Sequence, residues 1–103
     1  MYWLMICRHR ANATELREQH RDAHHRHVAT GGGGIAKVLI GSALTDDDGE
    51  TPIGNFGILE APTREAAQAF AENDPFAIVG LVDSIEITAL ASRFQAQRID
   101  PMT

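Results

Sequence analysis

Four histidines crowd one short stretch of this sequence: His20, His24, His25 and His27. His20, His24 and His27 fall at i, i+4 and i+7, which on a helix sets three imidazoles on one side. Imidazole changes charge near neutral pH, so such a row suits proton transfer or a borderline metal such as Zn²⁺. Asp74 could complete a metal set, but no cysteine or H-E-x-x-H pattern accompanies the row, and no metal is expected. Farther along, Asp74-Pro75-Phe76 sets a carboxylate directly before a proline. Proline disfavours helix in the residue before it and readily starts a helical turn itself. Asp74 then stands at a helix boundary with two roles open to it. It could cap the turn. It could also accept a hydrogen bond from an imidazole of the histidine helix, which would fix the tautomer and raise the basicity of that ring.

Other motifs carry less chemistry. Gly31-Gly32-Gly33-Gly34-Ile35-Ala36 fits a loose dinucleotide-binding pattern, but that pattern needs a strand before it and a helix after it. Here the order is reversed, so the run reads as a helix stop. Asp46-Asp47-Asp48-Gly49 lacks the spaced ligands of a calcium loop and reads as a solvated hairpin tip. Cys7, the only cysteine, sits in an apolar run and reads as an inert core thiol.

The elements that must position these residues follow from periodicity. Residues 2–7 alternate Tyr2, Leu4 and Ile6 with Trp3, Met5 and Cys7, a strand apolar on both faces. Residues 12–29 read as a helix with Asn12 as its cap and Glu15 closing a capping box. Its inner face, through Leu16, His20, Ala23, His27 and Val28, is only weakly apolar. Residues 35–44 and 55–60 read as strands around the acidic tip. Thr63 caps a second helix that buries Ala66, Ala67, Phe70 and Ala71. Residues 82–90 form a fourth strand with Ile85, Ile87 and Ala89 on one face. The order β-α-β-β-α-β predicts an α+β, ferredoxin-like antiparallel sheet with both helices on one face, spanning residues 1–91 with a tail over 92–103. The other face of the sheet would expose an apolar patch. A second copy packing sheet to sheet is the simplest cover, so a homodimer is expected.

Bulk properties exclude some classes. The 103 residues suit one domain, with 44% hydrophobic and 22% charged residues. A formal net charge of −5 argues against a nucleic-acid partner. Arg8, Arg10, Arg17, Arg21 and Arg26 nevertheless cluster in the first quarter, where they read either as solvated helix surface or as a local attraction for a small anion. No stretch approaches the roughly 20 apolar residues of a membrane span, and no signal peptide is recognised. A cytoplasmic location, a reducing compartment and no membrane partner are expected.

Several segments together resemble the YCII (YciI-like) family. Arg21-Asp22-Ala23-His24-His25-Arg26-His27-Val28 resembles its R-x-x-H-x-x-x-[LV] helix. Ile40-Gly41-Ser42-Ala43-Leu44 resembles its second strand, with Gly41-Ser42 where the family carries Gly-Pro. Glu65-Ala66-Ala67-Gln68-Ala69-Phe70, then Asn73-Asp74-Pro75-Phe76 and Gly80-Leu81, resemble its segment around D-P-[FY]. The resemblance runs over about residues 2–91. It implies a dimeric α+β barrel with a site centred on a histidine and an aspartate, which fall on His24 and Asp74. Relatives that remove hydrogen halide from chlorinated aromatic rings point to acid–base chemistry without a cofactor.

The expectation is therefore a small enzyme, of lyase or isomerase type, acting on a small organic molecule that could be aromatic. His24 and Asp74 are the expected catalytic pair. Arg21 would steady an anionic group, Ser42 would donate a hydrogen bond, and Phe76 and Trp3 would flank a flat ligand. The contrasting expectation is a non-catalytic ligand-binding or accessory module of the same fold, since fold alone does not decide function.

Overall fold

The structure is a computed structural model that describes residues 1–101; the last two residues of the expected tail lie outside the described residues. Its elements run β1 (Tyr2–His9), α1 (Thr14–Gly34), β2 (Lys37–Thr45), β3 (Pro52–Glu60), α2 (Arg64–Glu72), α3 (Pro75–Ile78) and β4 (Val82–Ala89). One turn of 3-10 helix follows at Ala96–Arg98. The strands form one antiparallel sheet in the order β2-β3-β1-β4, and the helices cover one face of it. This is the ferredoxin-like α+β arrangement.

Strand alternation sets which side chains face the helices. On β1, Trp3, Met5 and Cys7 are buried, while Tyr2, Leu4 and Ile6 lie half-buried on the open face. The pairing of Met5 with Gly57 and Ile87, and of Trp3 with Leu59 and Ala89, carries this parity across the sheet. The core thus joins Trp3, Met5, Cys7, Val38, Leu59 and Ile87 to Ala67, Phe70 and Ala71 of α2. A second cluster of Ala13, Phe76 and Leu81 closes the end near α3.

One helix boundary departs from the sequence reading. Asn12 does not cap α1; it adopts a left-handed conformation (φ 58°), and Ala13 holds the cap position without a side-chain bond. Asn tolerates that region better than most residues, and the turn it makes outcompetes capping. At the other end the right-handed helix stops at the glycine run as expected: Gly31, Gly32 and Gly33 turn left-handed, with φ of 61°, 66° and 77°. The amides of Ile35 and Ala36 both donate to the Gly31 carbonyl, so the run is a built reversal into β2. A Cβ on Gly31 would lie 1.9 Å from the Ala36 carbonyl oxygen, so only glycine fits. Thr63 does cap α2, accepting from the Ala66 amide at 3.1 Å.

Candidate active site

Only three polar residues are buried in the described chain: His24, Asn55 and Asp74. A buried polar group is costly unless hydrogen-bonded, so their partners matter. His24 Nδ1 lies 2.7 Å from Asp74 Oδ2. An ionised carboxylate only accepts, so Nδ1 carries the proton and donates. The other carboxylate oxygen, Oδ1, accepts from the Phe76 amide at 2.9 Å, which caps α3. Asp74 therefore fills both roles that its spacing left open. The cap fixes the carboxylate, and the carboxylate fixes the imidazole, leaving Nε2 as the ring nitrogen without a protein partner.

The rings around this pair are stacked. His24 lies flat on Phe76, with centroids 4.2 Å apart and planes 10° from parallel. His27, one helical turn on, lies on Phe70 at 4.5 Å, and its Nε2 donates to the Phe70 carbonyl at 2.8 Å. His24 and His27 thus pack inward from α1, each stacked and hydrogen-bonded. His9 meets the Phe76 ring edge-on at 5.5 Å and donates from Nε2 to Asn55 Oδ1 at 3.0 Å. Burial holds the His9 imidazole below its ordinary range, and the positive charge of Arg17 adds to this; the Asn55 bond opposes it.

A cavity of about 520 Å³ opens beside His24 and Asp74, between α1 and the β2–β3 half of the sheet. The sheet register explains it. Where Val38 pairs with Leu59, large side chains fill the space beneath the helix. At the next helix-facing positions Gly41 pairs with Gly57, and Ala43 with Asn55, so little side chain stands under α1. Met5 and Phe70 supply apolar walls. Thr14, Arg17, Arg21, His24 and Val28 line the helix side at helical spacing, with Glu18 and His25 beside them. This size suits a small ring compound.

The expected site residues divide. His24 and Asp74 come together, and Arg21 lines the cavity, exposed and 3.6 Å from Glu18. Phe76 is buried behind His24 and acts as its platform, outside the cavity wall. Ser42 stands at the cavity margin, but its hydroxyl donates to the Ala43 carbonyl at 2.8 Å. Trp3 lies away from the cavity: its indole N–H donates to the Ala61 carbonyl, and Arg64 packs over its ring. Cys7 is buried under Asp74, and burial, with that carboxylate, pushes its thiol up to about 12. It is no nucleophile at neutral pH.

Asn55 and His9 escaped the sequence reading, and Arg17 entered it only within an arginine cluster that could attract a small anion. The spacing of Arg17, Arg21 and His24 (i, i+4, i+7) could have placed Arg17 on the cavity stripe. Asn55 needed the cross-strand register, which is not legible in one strand alone. Among the described residues, no three His, Cys, Asp or Glu side chains are grouped to hold a metal ion. No helix among them is long and apolar enough to cross a membrane.

The fold is similar to that of 5-chloro-2-hydroxyhydroquinone dehydrochlorinase (TftG) from Burkholderia phenoliruptrix AC1100, in complex with 2,5-dihydroxybenzoquinone. The TM-score is 0.75 at 24% sequence identity, covering 88% of this chain and 94% of that one. No curated protein matches the chain in sequence. The family model of the YCII-related domain matches residues 1–91, and the chain belongs to that family.

Proposed function

We propose that this protein is a small acid–base enzyme, working without a cofactor on a small ring compound. The observation that carries this reading is the buried 2.7 Å contact between His24 and Asp74 at the wall of a ring-sized cavity. Asp74 holds the proton on Nδ1, so Nε2 presents a lone pair that can take a proton from a bound hydroxyl or carbon acid. The imidazolium that forms is stabilised by the carboxylate and can return the proton to a leaving group or a second carbon. TftG, named for removing hydrogen chloride from a hydroxylated ring, supports an aromatic or quinoid substrate.

The test is a panel of hydroxylated and halogenated aromatic compounds, followed by ultraviolet absorbance and halide release. For a compound that is turned over, His24→Asn and Asp74→Asn should each lower turnover by about 10²–10⁴-fold, the usual worth of a positioned acid–base group. A His24→Asn variant with full turnover would overturn the reading.

One observation favours a second reading, in which the chain binds a ligand without transforming it. The Asp74 cap on α3 gives the carboxylate a structural purpose independent of chemistry. Under either reading Asp74→Ala should cost about 2–4 kcal/mol, from a lost cap and an unpartnered buried imidazole. The binding module alone predicts ligand-induced stabilisation with no product from any compound that binds.

We also propose that two copies pair through the open sheet face, where Leu4, Ile6, Ile40, Phe56 and Ile58 lie together without cover from the helices.

A further inference from the structure

Arg17 is half-buried on α1, and its Nε–H is shielded from water with no acceptor, the sole such orphan among the buried side-chain N and O atoms described. No carboxylate forms an ion pair with it; the described ion pairs are Arg21–Glu18 and His24–Asp74. Its guanidinium instead stands 5.5 Å from the centroid of the Phe76 ring, the ring on which His24 is stacked. A guanidinium N–H held out of water without an acceptor is costly, and proteins usually supply the partner. This one lines the same cavity as His24.

From this we infer that Arg17 is the anion-recognition residue of the cavity, and that the ligand is a planar ring bearing an ionised oxygen, such as a phenolate or enolate. The inference rests on the cavity being a ligand site, as proposed above, and adds the charge of the ligand. Arg17 suits this role better than Arg21, which is exposed and already shares Glu18. An exposed guanidinium in water contributes little, whereas one with a desolvated stem binds an oxyanion through charge-assisted bonds. Burial holds Arg17 below its ordinary proton affinity, with the nearby Glu18 carboxylate opposing the shift and Arg21 adding to it. The Phe76 ring orders the two groups, so one ligand could meet Arg17 at its anionic oxygen and His24 Nε2 at its acidic hydrogen.

The test uses isothermal titration calorimetry with two probes. One is 2,5-dihydroxybenzoquinone, whose hydroxyls are vinylogous acids ionised at neutral pH. The other is 2,5-dimethoxybenzoquinone, the same ring without an ionisable oxygen. The wild-type protein should bind the first at least tenfold more tightly than the second. Arg17→Gln should lose at least tenfold for the anionic probe and little for the neutral one, and Arg17→Lys should recover part of the loss. Arg26→Gln, an exposed charge elsewhere on α1, should change neither by more than about threefold. His24→Asn should retain the anionic probe while losing turnover, which separates failure of this inference from failure of the acid–base reading. The inference is overturned if Arg17→Gln binds the anion as well as wild type, if Arg26→Gln loses as much, or if the wild-type protein binds neither probe or both equally. A folded Arg17→Gln protein is verified by its far-ultraviolet circular dichroism and a melting temperature no lower than wild type. Should that variant fail to fold, Arg17→Lys carries the comparison, with undiminished affinity counting against the inference.

Discussion

At the scale of single residues, the site is a set of polar groups made affordable to bury by their partners. His9 shows what this implies for pH. Its folded-state affinity for a proton is lowered, chiefly by burial, from an ordinary value of 6.5. The unfolded chain therefore takes up a proton first as the pH falls below about 6.5. The stability His9 contributes is complete above that value and is lost as the pH falls toward its folded-state pKa. Chemical denaturation from pH 7.5 to 5 should show this loss, and His9→Gln should flatten the profile in that window. A profile unchanged by His9→Gln would remove the imidazole as its cause. Residue types and spacing made a row of imidazoles and Asp74 legible as candidates, and the family resemblance singled out His24 among the four histidines. The sequence placed Trp3 at the site on its aromatic character alone. Trp3 and Cys7 share a face of β1, but four residues of strand separate them by roughly 13 Å. The site lies toward the Cys7 end, so Trp3 packs beneath α2 instead.

At the scale of elements, the glycine run is the clearest case of backbone dictating sequence. Gly31 and Gly33 both have positive φ, but only Gly31 faces another backbone segment. Alanine at 33 meets open space and should cost about 1–2 kcal/mol for the left-handed conformation alone. Alanine at 31 adds a collision with the Ala36 carbonyl, so its cost should exceed that of the 33 variant by about 2 kcal/mol or more. Urea denaturation of both variants measures the difference; equal costs would mean that the reversal can rebuild. The four strands were legible because apolar alternation survives in each. The start of α1 was not, because Asn12 suits a cap and a left-handed turn alike, and the choice depends on how β1 delivers the chain. The cavity was hidden for a related reason. Gly41, Ala43 and Gly57 are unremarkable until register stacks them under one helix.

At the scale of the whole molecule, the unsolved surface is the open face of the sheet. Ile58 is at its centre, paired with Leu4 on one side and Ile40 on the other. Ile6 and Phe56 extend the patch by one pair, while Phe94 tilts against Tyr2 at 5.7 Å and covers its margin. Along its edge strands this face carries polar residues, Glu86 and Thr88 on β4 and Ser42 on β2. A patch of contiguous aliphatic and aromatic side chains with a polar edge is the composition of an interface core and rim. Self-pairing needs no second gene product, and a two-fold axis lets one patch meet its copy. Sedimentation equilibrium at tens of micromolar protein should therefore give a dimer. Ile58→Lys would put two ammonium groups at the centre of that contact, where desolvation and mutual repulsion oppose pairing. It should shift the protein to monomer while retaining its circular dichroism, since the helices pack on the other face. If the wild-type chain sediments as a monomer, the open face is not a self-pairing surface. If Ile58→Lys stays dimeric, the contact lies elsewhere on the molecule.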